Sequence, residues 1–118
     1  MFRDREYLAD MLDAARLALS FAEGKTRDQF LADIQCQDAV IRRLVILGEA
    51  ARRTSPAFRA GLSQLPWKRL IAMRNVMVHE YEDIDLGIVW DTVKNDLPPL
   101  VADLEKALSL GPFGVSDL

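Results

Sequence analysis

Arg74, Asn75, His79 and Tyr81 fall within one short stretch, MRNVMVHEYED at 73–83, and His79 is the only histidine of the 118-residue chain. An imidazole takes and gives protons near neutral pH, and a guanidinium offers several charged donors to phosphate oxygens. Together they could cleave RNA without a metal. One group removes the proton of a ribose 2′-hydroxyl, that oxygen attacks the adjacent phosphate, and cationic donors stabilise the charge that develops. A plainer account is also open: a solvated histidine, an arginine held by a structural carboxylate such as Glu49, and a core or interface phenol at Tyr81. No metal centre is expected, because one His and one Cys leave carboxylates as the main ligands and no ligand spacing stands out.

These side chains need a helix to position them. The stretch belongs to WKRLIAMRNVMVHEY, with Pro66 suited to the first turn. At about 100° per residue, Leu70, Arg74, Met77, Val78 and Tyr81 cluster on one side. Arg74 and Tyr81 nearly superpose, separated by roughly 10.5 Å along the axis. Asn75 and His79 share another face with Lys68, where Asn75 could orient His79. His79 then points about 140° away from Arg74. The two converge on one atom only if the helix is distorted or if two chains assemble the site around a two-fold axis.

The rest of the chain also reads as helices. Leu8, Met11, Leu12, Ala15 and Leu19 recur at three- and four-residue steps, and Gly24 can end that helix. Thr26 with Gln29 has the form of a capping box. Val40, Ile41, Leu44, Leu47 and Ala51 trace a broad apolar face on a longer helix, the first place to look for dimerisation. Ser55-Pro56 and Gly61 mark a connection. Asp85 is a cap for a last helix that Pro98-Pro99 should kink or break. With no alternating strand pattern, the expectation is an all-α, antiparallel bundle of four or five helices that dimerises. A single domain covers 1–110, followed by a flexible tail at 111–118.

Composition narrows the function classes. No apolar run approaches the roughly 18 residues of a membrane span, and MFRDREYLAD is charged from its third residue, unlike a secretory signal. Cys36 is alone, which fits a buried thiol in a reducing cytoplasm. The formal net charge is −3, yet charge is segregated: residues 42–74 carry eight basic side chains against Glu49 alone, between acidic flanks. That band permits a polyanion partner without demanding one.

The chain resembles the HepT-like members of the HEPN superfamily, through QDAVIRRLVILGEAARR, PWKRLIAMRNVMVHEYEDIDLGIVWDTV and the DLPPL that follows. The sharpest match is R-x-x-x-x-H-x-Y at Arg74, His79 and Tyr81; Ala72 stands where relatives often have glycine. The resemblance implies a HEPN-like homodimer and a cytoplasmic, metal-independent endoribonuclease acting on cellular RNA, with no cofactor. Arg74 and His79 would be catalytic, Asn75 would support them, and Glu49 is a further supporting candidate. It also implies the toxin half of a type VII toxin–antitoxin pair, silenced when an MntA-like nucleotidyltransferase transfers AMP onto Tyr81. The alternative is a non-catalytic helical partner that serves only as the transferase's substrate.

Overall fold

Two long antiparallel helices form the frame on which the Arg74 stretch is mounted. The structure is a computed structural model and describes residues 3–109. Its elements are α1 (Asp4–Ala22), α2 (Arg27–Leu31), α3 (Ile34–Arg53), α4 (Pro56–Gly61), α5 (Trp67–His79), α6 (Leu86–Asp91) and α7 (Leu97–Leu108). A 3-10 turn, Tyr81–Asp83, joins α5 to α6, and a π-helical turn, Thr92–Asp96, joins α6 to α7. No strand occurs among the described residues, so the fold is all-α. The antiparallel arrangement of α1 and α3 is fixed at both ends. The Cys36 thiol lies 3.4 Å from the Phe21 carbonyl at one end, and at the other Asp4 accepts from the Ser55 N–H and hydroxyl at 2.7 and 2.8 Å. α5 packs along α3, and α7 along α1.

Local chemistry sets the boundaries. Gly24 takes the positive φ of 79° just past α1. Thr26 and Gln29 form the expected reciprocal capping box, with bonds of 3.1 and 2.9 Å. Ser55 caps α4, which turns the expected connection into a short helix, and Asp85 caps α6. Pro66 stands at the cap position of α5, one residue before the first turn. The expected break at the paired prolines takes the form of the π-helical turn. α7 then restarts with Pro98 and Pro99 in its first turn, where their missing N–H groups have no intrahelical partner to lose.

Two expectations are corrected. The apolar face at 40–51 is not available to a second copy: Val40, Ile41, Leu44, Leu47 and Ala51 are buried in the protomer's own core, together with Leu8, Met11, Leu12 and Ala15 of α1. Exposed large apolar side chains instead include Val76 and Val78 on α5 and Ile88 on α6. The α5 helix also stops at His79 rather than running through Tyr81. Glu80 takes φ −120°, ψ 40° and ends the ladder with its N–H on the Val76 carbonyl, so Tyr81 leaves the helical wheel that would have stacked it over Arg74. No helix among the described residues is long and apolar enough to cross a membrane. The expected tail at 111–118 lies outside the described residues.

Candidate active site

The site begins with the closest approach of α3 and α5. A Cβ added to Gly48 would stand 2.3 Å from Arg74 Cβ and 2.6 Å from the Leu70 carbonyl oxygen, so only glycine lets the helices meet there. The next residue, Glu49, is thereby set beside the Arg74 side chain. Its Oε1 lies 3.0 Å from Arg74 Nε, and both side chains are only about a fifth exposed, 23% and 22%. The Nε–H is not aimed at that oxygen, so the contact is Coulombic rather than a hydrogen bond. Arg74 Nε is the one fully buried side-chain polar atom among the described residues that makes no hydrogen bond.

Glu49 serves three guanidiniums at once. Arg52 donates Nη2 to Oε2 at 2.6 Å and Nε to Oε1 at 3.4 Å, and Arg53 donates Nε to Oε2 at 3.3 Å. The Arg52 hydrogen bond, reinforced by the charges of Arg52, Arg74 and Arg53, holds the Glu49 carboxyl below the usual carboxylate range against the opposing effect of desolvation. One carboxylate is thus spread over three cations, which leaves a local surplus of positive charge around Arg74. Glu49 therefore pairs with Arg74 as the plainer account of this arginine allowed.

Asn75 differs from the expectation. Its Oδ1 accepts from Arg74 Nη1 at 2.9 Å, so it is engaged with the arginine rather than with His79. His79 is the last residue of α5 and is exposed. Because α5 is regular α-helix from Trp67 through His79, the divergence of about 140° between Arg74 and His79 persists within one protomer. Tyr81 opens the 3-10 turn and is 63% exposed. The structure brings Glu49, Arg74 and Asn75 into contact and leaves His79 and Tyr81 open to solvent.

Two grooves flank this helix, and their charges differ. One, of about 390 Å³, lies between α1 and α3 and is lined by Tyr7, Asp10, Arg42, Glu49, Arg53 and Arg74, among others. The other, of about 740 Å³, lies between α5 and the α6–α7 segment; its apolar floor includes Met73, Val76 and Ile88, and Glu80, Asp83, Asp85, Asp96 and Asp103 bring it negative charge. Sequence reasoning missed Tyr7, Asp10, Arg42 and Arg53 as neighbours of the site. For the two arginines a signal was present: Arg42, Glu49 and Arg53 lie seven and four residues apart, within about 40° of one another on the α3 wheel. Among the described residues no three His, Cys, Asp or Glu side chains are grouped as metal ligands.

Comparison with known proteins places the chain in a family. Residues 11–107 match the family described as Ribonuclease HepT-like. The "Probable ribonuclease HepT" of Thermococcus cleftensis is 35% identical over 102 residues, covering 86% of this chain and 93% of that protein. The "Gamma-glutamylcyclotransferase and putative RNase MJ0434" of Methanocaldococcus jannaschii is 36% identical over 102 residues, again 86% of this chain but only 46% of that longer protein. No solved structure gave a significant match. The chain belongs to the HepT-like ribonuclease family.

Proposed function

We propose that the protein is a metal-independent endoribonuclease, the toxin of a type VII toxin–antitoxin pair, acting on cellular RNA in the cytoplasm. The observation that supports it most is Arg74, a half-satisfied guanidinium at the edge of a groove, on the same short helix as the sole histidine. In this reading Arg74 takes the negative charge that develops on the phosphoryl group, and Glu49 and Asn75 hold it in place. His79 handles the proton: the 2′-oxygen attacks phosphorus, the bond to the 5′-oxygen breaks, and the products are a 2′,3′-cyclic phosphate and a 5′-hydroxyl. Since one regular helix turns Arg74 and His79 apart, the site works as a homodimer, with His79 of the partner subunit meeting Arg74.

The same reading makes Tyr81 the control point. Its exposure on a turn suits attack of the phenolic oxygen on the α-phosphate of ATP by a nucleotidyltransferase partner, with pyrophosphate leaving. The added phosphate and bulk, two residues beyond His79, would oppose RNA entry.

One experiment tests both parts. Purified protein is incubated with RNA in EDTA, before and after treatment with ATP, magnesium and the neighbouring nucleotidyltransferase, with intact mass recorded. Cleavage by wild type that is lost in His79→Ala and Arg74→Ala, and silenced by an AMP addition absent from Tyr81→Phe, is the expected result. AMP addition without cleavage in any state would leave the protein as a non-catalytic substrate of the transferase.

A further inference from the structure

The basic band at 42–74 is the feature that the catalytic reading leaves largely unused, and the structure sorts its members by what already holds them. Arg59 is committed to the end of α3, donating to the Arg52 carbonyl, the Thr54 carbonyl and the Thr54 hydroxyl at 2.7 to 2.9 Å. Arg69 pairs with Asp96 at 3.2 Å across the acidic groove. Arg52 is the main partner of Glu49. Arg42 is exposed and lines the α1–α3 groove, and it has no carboxylate within ion-pair distance among the described residues. Arg53 lines the same groove and shares Glu49 with two other guanidiniums.

The placement has an order. Arg42 and Arg53 are eleven residues apart, so they differ by about 20° on the α3 wheel and by roughly 16 Å along it. Arg74 reaches in from α5 at the level of Gly48, between them. Three guanidiniums therefore line one groove in the sequence Arg42, Arg74, Arg53. A strand stacked at about 3.4 Å per nucleotide would pass about five phosphates over that length. On the α1 side Tyr7, half-buried against the core, lines the groove as an aromatic residue of the kind bases stack on. The opposite groove, with five carboxylates against one paired arginine, repels a phosphate chain.

We propose that the groove between α1 and α3 is the path of single-stranded RNA to Arg74, with Arg42 and Arg53 as its phosphate contacts on either side of the reacting position. The proposal rests on the ribonuclease reading of Arg74 and names how that site holds its substrate. Asp10 is the groove's one carboxylate outside the Glu49 cluster, and it limits the affinity of the path.

The test uses the full chain carrying His79→Ala, so that RNA stays intact, and a fluorescein-labelled mixed-sequence single-stranded RNA of twelve nucleotides. Fluorescence anisotropy across a salt series gives the slope of log affinity against log salt, about 0.7 per phosphate contact on a single strand. Arg42→Gln and Arg53→Gln should each weaken binding and reduce that slope by about 0.7. Asp10→Asn should tighten binding. Arg16→Gln, which removes the same charge from an ion pair with Glu105 outside the groove, should leave the slope unchanged. Arg42→Gln is the deciding variant, since it breaks no ion pair. An unchanged slope for Arg42→Gln, or an equal loss with Arg16→Gln, overturns the path. Cleavage of the same RNA by the unsubstituted protein is scored separately. Cleavage with an unmoved slope sinks the path alone, whereas an Arg42-dependent slope without cleavage keeps the path and sinks the nuclease.

Discussion

Gly48 of α3 lies so close to Arg74 of α5 that a Cβ at position 48 would stand 2.3 Å from the arginine's own Cβ. The glycine thus sets both the helix spacing and the position of the guanidinium. Alanine at this position gains about 1 kcal/mol of helix propensity. It also drives a methyl into the backbone at Leu70, and such overpacking costs about 1–3 kcal/mol. Gly48→Ala should therefore lower stability by about 1 kcal/mol and reduce RNA cleavage by about tenfold or more through displacement of Arg74. Thermal unfolding and initial rates check the two effects separately; full activity would show that Arg74 is not held by this contact.

Glu49 links stability to pH. Its carboxyl titrates below the ordinary value of 4.5 because Arg52 donates to it and the charges of Arg74 and Arg53 add to the effect. A carboxyl whose folded pKa is depressed contributes stability that is complete above its unfolded value and is lost as pH falls through the folded one. Glu49→Gln should be less stable than wild type by a constant margin from pH 8 down to about 5. The margin should shrink as pH falls below 4.5, where the unfolded chain takes up the proton first, and should be lost by the lower pH at which the folded carboxyl also protonates. Melting temperatures of the two proteins across this range decide it, and a margin that persists to pH 3 contradicts the ion-pair account.

Cys36 should behave as a closed thiol. It is buried, its Sγ lies 3.4 Å from the Phe21 carbonyl, and burial raises its pKa. A thiol raised in this way has little thiolate at neutral pH, and the thiolate is the reactive form. Modification by a disulfide reagent should be slow in the native protein and rapid after denaturation. Rapid native reaction would mean that the start of α3 opens readily from α1.

Much of this fold was legible because its signals are local. The capping box at Thr26 and Gln29, the positive-φ glycine at 24 and the cap at Asp85 each depend on three or four neighbouring residues, and each is where the spacing placed it. The apolar face at 40–51 was read correctly as a face, but a wheel does not say which surface covers it, and α1 of the same chain does. The Tyr81 placement failed for a related reason. Nothing in HEYED breaks a helix as a proline does; the chain turns at Glu80, before the 3-10 turn and the Asp85 cap. The groove around Arg74 was hidden because it joins three helices: spacing sets Arg42 and Arg53 on one face of α3, but no spacing ties that face to Tyr7 of α1 or Arg74 of α5.

Val78 is where the homodimer reading is most exposed to test. On the α5 wheel it sits about 40° from Arg74 and 100° from His79, between the two. It is a large apolar side chain, 42% exposed, on a helix whose buried positions are Trp67, Leu70 and Met77. Any pairing surface that joins Arg74 of one chain to His79 of the partner subunit crosses it. Val78→Glu changes an exposed position, so the protomer's stability should move by no more than about 0.5 kcal/mol. A glutamate there would be buried without a partner in the dimer, which disfavours assembly. Sedimentation equilibrium should find monomers, and RNA cleavage should fall with the dimer fraction. Monomers that cleave as well as wild type would mean that one protomer builds the whole site, and α5 would have to distort to bring Arg74 and His79 together.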